Sequence, residues 1–253
     1  MRIALIQTHL YWEDVSKNIA HFDEKLKIIH DVDLIVLPEM FTSAFTMNPQ
    51  KVAQSMDGEV VHWLKKVAKQ KQAAICCSMV IAENNNFFNR FLFVKPNETI
   101  DFYNKRHLFT LANEHLFYTA GKEKVIINYL DWRICLQVCY DLRFPVFSRN
   151  QNDYDMLIYV ANWPKTRINA WDALIKARAI ENMSCVVGVN RIGEDDNKLT
   201  YVGHSQVVNA LGDYLLPPFE SDEIKSVTLH KNEQNETREK LPFLNDSDDF
   251  QII

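Results

Sequence analysis

The chain has no glycine-rich phosphate loop. Glycine itself is scarce, with 6 in 253 residues, and neither the dinucleotide-binding signature nor a nucleoside-triphosphate loop can be written from the sequence. No cofactor is therefore expected. Long hydrophobic runs are missing too. Nothing approaches the roughly 18 apolar residues of a membrane span, and the opening MRIALIQTHLYWEDV has too short an apolar stretch for a secretory signal. Positive charge is not in excess: the formal net charge is -5 and no Lys/Arg cluster stands out, which argues against nucleic acid as a partner. The 8 histidines show no i, i+4 helical pair and none adjoins a second ligand type, so no metal is expected. No linker rich in Gly, Pro or Ser divides the chain, and no short repeat recurs.

What is present is a globular composition long enough to form one sizeable core. The 5 cysteines, Cys76, Cys77, Cys135, Cys139 and Cys185, fall inside apolar runs rather than at loop spacings. That pattern predicts reduced thiols and a cytoplasmic protein. Short apolar runs alternate with amphipathic ones. Strands are predicted at 2–7, 33–38, 73–82, 87–96 and 99–105, then in KVIINY and WRICLQVC, and at 155–162, 184–190 and 224–230. A hairpin is expected over 201–216. Helices are predicted at 15–30 (Ile19, Phe22, Leu26 and Ile29 in phase), 60–70, and 168–182 (Trp171, Leu174, Ile175 and Ala179 on one side). The order β-α-β, hairpins, β-α-β points to a single α/β domain over 1–253. DLIVLP and DMLIYVAN lack polar alternation, as in strands covered on both faces. The polar segment after Lys231 is expected to extend over the surface or onto a partner subunit.

Three polar residues stand where predicted strands run out: Glu39 after LIVLP, Lys105 after TIDFYN, and Cys139 after ICLQV. Strand ends in α/β proteins converge on one rim of the sheet, where ligands bind. A free thiol is on the order of 3% thiolate at neutral pH. A carboxylate in an apolar site can take its proton, and an ammonium can hold the oxyanion that forms when sulfur attacks a carbonyl or nitrile carbon. Taken singly, each residue reads as ordinary: the Cys as core, the Glu and Lys as solvated surface. The other four cysteines are assigned to the core.

The flanking residues decide between these readings. LPEMF around Glu39, NKRHLF around Lys105 and VCYDLRFP around Cys139, in that order, resemble the nitrilase superfamily of carbon–nitrogen hydrolases. The likeness continues through VANWPKTRINAWDALIKARAIENMSCVVGVNRIG. Within the superfamily, KRHLFTLANEH, ANWP and LPFLNDSDDF are most similar to the omega-amidases, which hydrolyse the side-chain amide of 2-oxo acids. The resemblance implies a four-layer α-β-β-α sandwich, a homodimer whose tail (about 231–253) crosses the interface, and a small-molecule amide substrate. It implies Glu39 as general base, Lys105 as oxyanion lysine, Cys139 as nucleophile and the Tyr140 N–H as second oxyanion donor. Glu114 matches the family's second glutamate, orienting Lys105 or the hydrolytic water; the competing reading is a structural ion pair.

Arg143, four residues after Cys139, is a candidate to grip a substrate carboxylate with two parallel hydrogen bonds. The competing reading pairs it with Asp141 or Glu181. Trp163, Phe41 and Phe45 lie just beyond strand ends and are candidate pocket walls. Asp141 is expected to brace the turn after Cys139, Arg178 to pair with Glu181, and His107 to be structural. The rivals are another amidase of the superfamily, a carbamoyl-amine hydrolase, a nitrilase, a thiol redox protein using Cys135 and Cys139, and a catalytically dead scaffold.

Overall fold

The computed structural model describes residues 1–151 and 153–252. The first half of the chain builds one sheet from β1 (Arg2–Gln7), β2 (Leu34–Val36), β3 (Ala74–Glu83), β4 (Asn86–Val94) and β5 (Ile100–Asn104). The second half supplies β6 (Ile126–Tyr129), β7 (Trp132–Val138), β8 (Met156–Ala161), β9 (Cys185–Asn190), β10 (Ile192–Glu194), β11 (Thr200–Val202), β12 (Ser205–Val208), β13 (Tyr214–Phe219) and β14 (Glu223–Thr228). Two six-stranded sheets result, ordered β14-β1-β2-β3-β4-β5 and β13-β12-β9-β8-β7-β6, with β10 and β11 as a separate ribbon. The last strand thus returns to the first sheet, antiparallel to β1.

Period-2 alternation explains why two sheets stack. Ile3 and Leu5 face one core while Ala4 and Ile6 face another. The same split separates Leu34 and Val36 from Ile35 and Leu37, and Phe91 and Phe93 from Leu92 and Val94. Successive side chains of a strand point to opposite faces, so each strand of the first sheet serves two layers. The inner set packs against Ile134, Leu136 and Val138 of β7 and their neighbours in the second sheet. The outer set is covered by the helices Val15–Lys27 and Glu59–Lys71, through Phe22, Leu26, Val61 and Leu64. The helix Ile168–Glu181 covers the second sheet with Trp171, Ile175 and Ala179. Helix, sheet, sheet, helix is the expected four-layer order.

Parallel pairing aligns the strand ends that matter. β1, β2 and β3 run parallel. Two antiparallel steps through β4 return β5 to the same direction. β7, β8 and β9 are parallel in the second sheet. The ENNN turn closes the β3–β4 hairpin as expected: Glu83 pairs with Asn86, and Asn84 and Asn85 take φ of 49° and 62°, the left-handed values a two-residue hairpin turn demands.

One expectation about the elements is corrected. The predicted 201–216 hairpin is in fact β12 with β13, while β11 pairs with β10. Gly203 and His204, at φ 79° and 62°, break the run between them. The segment after Lys231 begins with a helix, Lys231–Lys240, held on its own chain. Gln234 accepts the Cys185 N–H (2.9 Å) and donates to the Asp155 carbonyl (2.9 Å), and Arg238 donates to the Met183 carbonyl (2.6 Å). Among the described residues, no helix is long and apolar enough to cross a membrane.

Candidate active site

Glu39 lies three residues beyond β2, Lys105 and Cys139 directly follow β5 and β7, and Asn162 directly follows β8. All four line one cavity of about 300 Å³. The predicted trio therefore meets. Glu39 is fully buried and each oxygen of its carboxylate is held. Oε1 accepts from Lys105 Nζ (3.1 Å) and Asn89 Nδ2 (2.8 Å), and Oε2 from the Asn162 N–H (2.8 Å). Asn162 also donates its side-chain amide to the Glu39 carbonyl (2.7 Å). The Cys139 thiol donates to the Asn162 carbonyl oxygen (3.9 Å), and the Glu39 carboxylate is near enough to raise the thiol's pKa.

Lys105 is held between two carboxylates. Its Nζ donates to both oxygens of Glu114 (3.0 and 2.9 Å) as well as to Glu39. Burial works against its charge, but Glu114 and Glu39 outweigh it and raise the pKa, so the ammonium persists. The Glu114 carboxyl is pushed up by burial, with Lys105 pulling the other way. Its oxygens nevertheless face donors alone: Lys105, the Phe109 N–H (2.5 Å) and Asn89 Nδ2 (3.4 Å). That pattern fits the ionised form, which accepts and does not donate. Lys105's backbone is fixed by close approach of Gly121, whose N–H donates to the Lys105 carbonyl (2.9 Å). A Cβ at Gly121 would stand 2.0 Å from the Asn104 carbonyl oxygen.

Cys139 opens a tight 3-10 turn, Cys139–Arg143, with φ of 44°. A non-glycine residue in that region is strained by of order 1–3 kcal/mol and persists when its surroundings hold it. Asp141 does the holding, as expected. Its carboxylate accepts from the Val138 N–H (2.9 Å), the Tyr103 hydroxyl (2.8 Å) and the His107 N–H (3.0 Å). The N–H of Tyr140 belongs to the first turn, where helical geometry offers no acceptor. Burial first, and the Glu39 carboxylate second, push the Cys139 thiol well up. The sulfur thus rests as a thiol.

The other predicted residues divide. Phe45, Tyr140, Arg143 and Trp163 line the cavity, and Lys105 Nζ sits 5.1 Å from the Phe45 ring centre. Phe41 does not: it is fully buried in the outer core, stacked on Trp63 and edge-on to Phe22. The chain reverses at Met40, φ 44°, and carries Phe41 away from the pocket. Arg143 pairs with neither Asp141 nor Glu181; Glu181 is taken by Arg178 (2.9 Å). His107 bonds Asp141 (2.7 Å) and stacks on Phe144, away from the cavity wall. The five cysteines are free, and Cys135, whose pKa burial pushes up to about 12, lies in the core.

Sequence reasoning missed Asn89 and Asn162, the two amides that fix Glu39. Asn89 had a signal, as a polar residue inside the apolar FFNRFLF. Asn162 had one in ending the buried DMLIYVAN strand just as Glu39 ends another. Arg167, Asp195, Asn197 and Tyr201, also on the cavity wall, were not singled out.

The carbon-nitrogen hydrolase family model matches residues 2–239. Omega-amidase YafV of Escherichia coli (strain K12) is 45% identical over 253 residues, spanning 100% of this chain and 98% of the relative. The 2-oxoglutaramate amidase of Bacillus subtilis (strain 168) is 31% identical, over 96% of both chains. Among solved structures, XC1258 from Xanthomonas campestris, a CN-hydrolase superfamily protein with an arsenic adduct in its active site, superposes with a TM-score of 0.98 at 39% identity, covering 100% of this chain and 99% of that one. With buried acid, amine and thiol gathered at the strand ends of a matching sandwich, this chain belongs to the carbon-nitrogen hydrolase family.

Proposed function

We propose that the enzyme hydrolyses the omega-amide of 2-oxo acids, such as 2-oxoglutaramate and 2-oxosuccinamate, to the 2-oxo dicarboxylate and ammonia. The reading rests on one observation: the Glu39 carboxylate, the Lys105 ammonium bonded to it (3.1 Å) and the Cys139 thiol share the wall of one cavity. The names of the relatives agree with it.

Glu39 takes the thiol proton as sulfur attacks the amide carbon. The carbonyl oxygen becomes an oxyanion held by Lys105 and the Tyr140 N–H, and one such donor is worth about 3–4 kcal/mol of barrier. The C–N bond breaks as Glu39 delivers its proton to the departing ammonia, leaving a thioester. Water enters, gives a proton to Glu39 and adds to the thioester carbon. Collapse releases the acid, and the proton returns to sulfur. Glu114 keeps the Lys105 ammonium aimed at the oxyanion. Phe45, Tyr140 and Trp163 wall the site against bulk water, and Arg143 grips the carboxylate at the far end of the substrate.

An ammonia-release assay across 2-oxoglutaramate, 2-oxosuccinamate, glutamine, asparagine and simple nitriles tests the reading, with Cys139→Ala as control. Turnover of the 2-oxo amides, lost in the control, is expected. Turnover of nitriles without amides would overturn the substrate class. The reading extends to a cytoplasmic homodimer whose tail crosses the interface. Sedimentation of the full chain against one ending at residue 240 tests the tail, and a monomer in both would dismiss it.

A further inference from the structure

Two guanidiniums stand on the cavity wall, and neither has a partner. Arg143 follows the nucleophile turn, and Arg167 ends the 3-10 turn Lys165–Arg167 after β8. Both are partly buried. Neither side chain makes a hydrogen bond or ion pair among the described residues. Each lies over a ring instead: Arg143 4.9 Å from the Trp163 centre and Arg167 5.2 Å from that of Phe109. Withdrawn guanidiniums elsewhere are engaged by acceptors: the buried Arg90 by Glu83 (3.0 Å) and Arg178 by Glu181 (2.9 Å), the partly buried Arg238 by Asp155 (3.1 Å), and the buried Arg191 by the backbone carbonyls of Ile192 and Leu10 (both 3.2 Å). A cation withdrawn from water without a counter-charge is costly, so this pair is arranged for an anion that arrives.

Trp163 joins the two. Its ring carries Arg143, and its indole N–H donates to the Arg167 carbonyl (2.8 Å). The Trp163 backbone N–H is in turn tied to Asn190 (2.8 Å). Asp195, the other acid on this wall besides Glu39, is occupied: it accepts from the Tyr201 hydroxyl (2.8 Å) and the Leu199 N–H (3.0 Å) and pairs with neither arginine.

We propose that Arg167 joins Arg143 to form a two-guanidinium receptor for the substrate's carboxylate and adjacent 2-oxo group, and that this receptor selects 2-oxo amides over 2-amino amides. This inference rests on the omega-amidase reading and adds its selectivity. One guanidinium presents a planar fork to the carboxylate; the second donates to the remaining carboxylate oxygen and the ketone. An α-amino acid amide would bring its ammonium into the same place, against two like charges. Glutamine and asparagine are then rejected by charge, not by size.

Two measurements test the receptor. The first is direct binding of 2-oxoglutarate, the diacid product, to Cys139→Ala and to Cys139→Ala/Arg167→Met, by titration calorimetry. Binding at least 10-fold weaker in the double variant is expected; equal binding overturns the proposal whatever the enzyme turns over. The second compares Arg167→Met with the parent. KM for 2-oxoglutaramate should rise at least 10-fold with kcat changed less than 3-fold, and the 2-oxoglutaramate-to-glutamine ratio of kcat/KM should narrow by at least 10-fold. Arg167→Lys should recover part of the affinity. An unchanged ratio also overturns the proposal. If the parent binds 2-oxoglutarate through Arg167 yet releases no ammonia from its amide, the receptor stands and the assigned activity fails.

Discussion

Replacing Glu114 by Gln separates a part in catalysis from a part in stability. The carboxylate faces donors on both oxygens: Oε1 accepts from Lys105 and Asn89, Oε2 from Lys105 and the Phe109 N–H. An amide of the same shape must turn an NH2 group toward one of these sets. Whichever way it turns, one bond to the ammonium is lost and a donor opposes a donor. A hydrogen bond to a charged group is worth ~1.5–3 kcal/mol, and removing a buried charge partner costs ~3–5 kcal/mol. Lys105 is then drawn onto Glu39, 3.1 Å away, and off the oxyanion position. If the loss falls on that one donor, ~2.7–4 kcal/mol of barrier is forfeited, or about 10²–10³ in kcat. The assay is steady-state ammonia release by Glu114→Gln, with thermal unfolding measured on the same preparation. A fall in kcat of about 10²–10³-fold with KM within ~3-fold is expected. A lowered Tm with kcat within ~3-fold of the parent would refute the reasoning and leave Glu114 as a structural ion pair.

Asn162→Ala removes the amide tie to the Glu39 carbonyl, and kcat should fall roughly 10-fold with unfolding cheaper by about 1–2 kcal/mol; an unchanged kcat would remove Asn162 from the site. Phe41→Ala, deep in the outer core, should cost ~3–5 kcal/mol in urea unfolding with KM for 2-oxoglutaramate unaltered; a raised KM would return Phe41 to the pocket wall. Stability should fall with rising pH above about 8.5, because burial pushes the Cys135 and Cys185 thiols up to about 12, while the unfolded chain ionises them near the ordinary ~8.5. The folded state then binds more protons than the unfolded one, and the stability present below the unfolded pKa is lost toward the folded one. Cys185→Ala should flatten that slope by up to ~1.4 kcal/mol per pH unit; an unchanged slope between pH 9 and 10.5 would contradict it. Mild oxidation followed by mass spectrometry should find no Cys135–Cys139 bridge; finding one would favour the redox reading.

The elements that form the site were legible because each obeys a local rule. DLIVLP and WRICLQV are short apolar runs, each followed at once by a reactive residue, Glu39 and Cys139, and the structure turns each into a strand end. The ENNN turn could be placed because asparagine tolerates left-handed backbone. What stayed hidden depends on direction or on partners distant in sequence. Phe41 and Phe45 look alike in the sequence, but the reversal at Met40 sends the first into the core and leaves the second on the cavity wall. The helix Lys231–Lys240 has no apolar stripe to announce it. Gln234 and Arg238 hold it through the backbone of Asp155, Met183, Tyr154 and Cys185. Arg167 reads as one more cation near a helix start, and what marks it is the missing carboxylate, which only the fold reveals.

The charge count at the centre explains why the thiol is not ionised in advance. Glu39 and Glu114 carry two negative charges against the one positive charge of Lys105, all three side chains being at most 1% exposed. Losing the thiol proton to solvent would add a second uncompensated negative charge to a buried cluster, which is why burial and Glu39 both hold the Cys139 proton in place. Handing the proton to Glu39 instead leaves the total unchanged. In the proposed mechanism the surplus charge moves from carboxylate to sulfur, and from sulfur to the substrate's oxygen as the C–S bond forms. At each stage it stays within the reach of one ammonium, which Glu114 keeps from collapsing onto Glu39. On that mechanism the amine serves the charge that develops during the reaction, not the charge that rests beforehand. A site built this way gains nothing from a lower thiol pKa, and a substitution that pre-ionised the sulfur, such as removal of Glu39, would leave the attack without its proton acceptor and the departing ammonia without its donor.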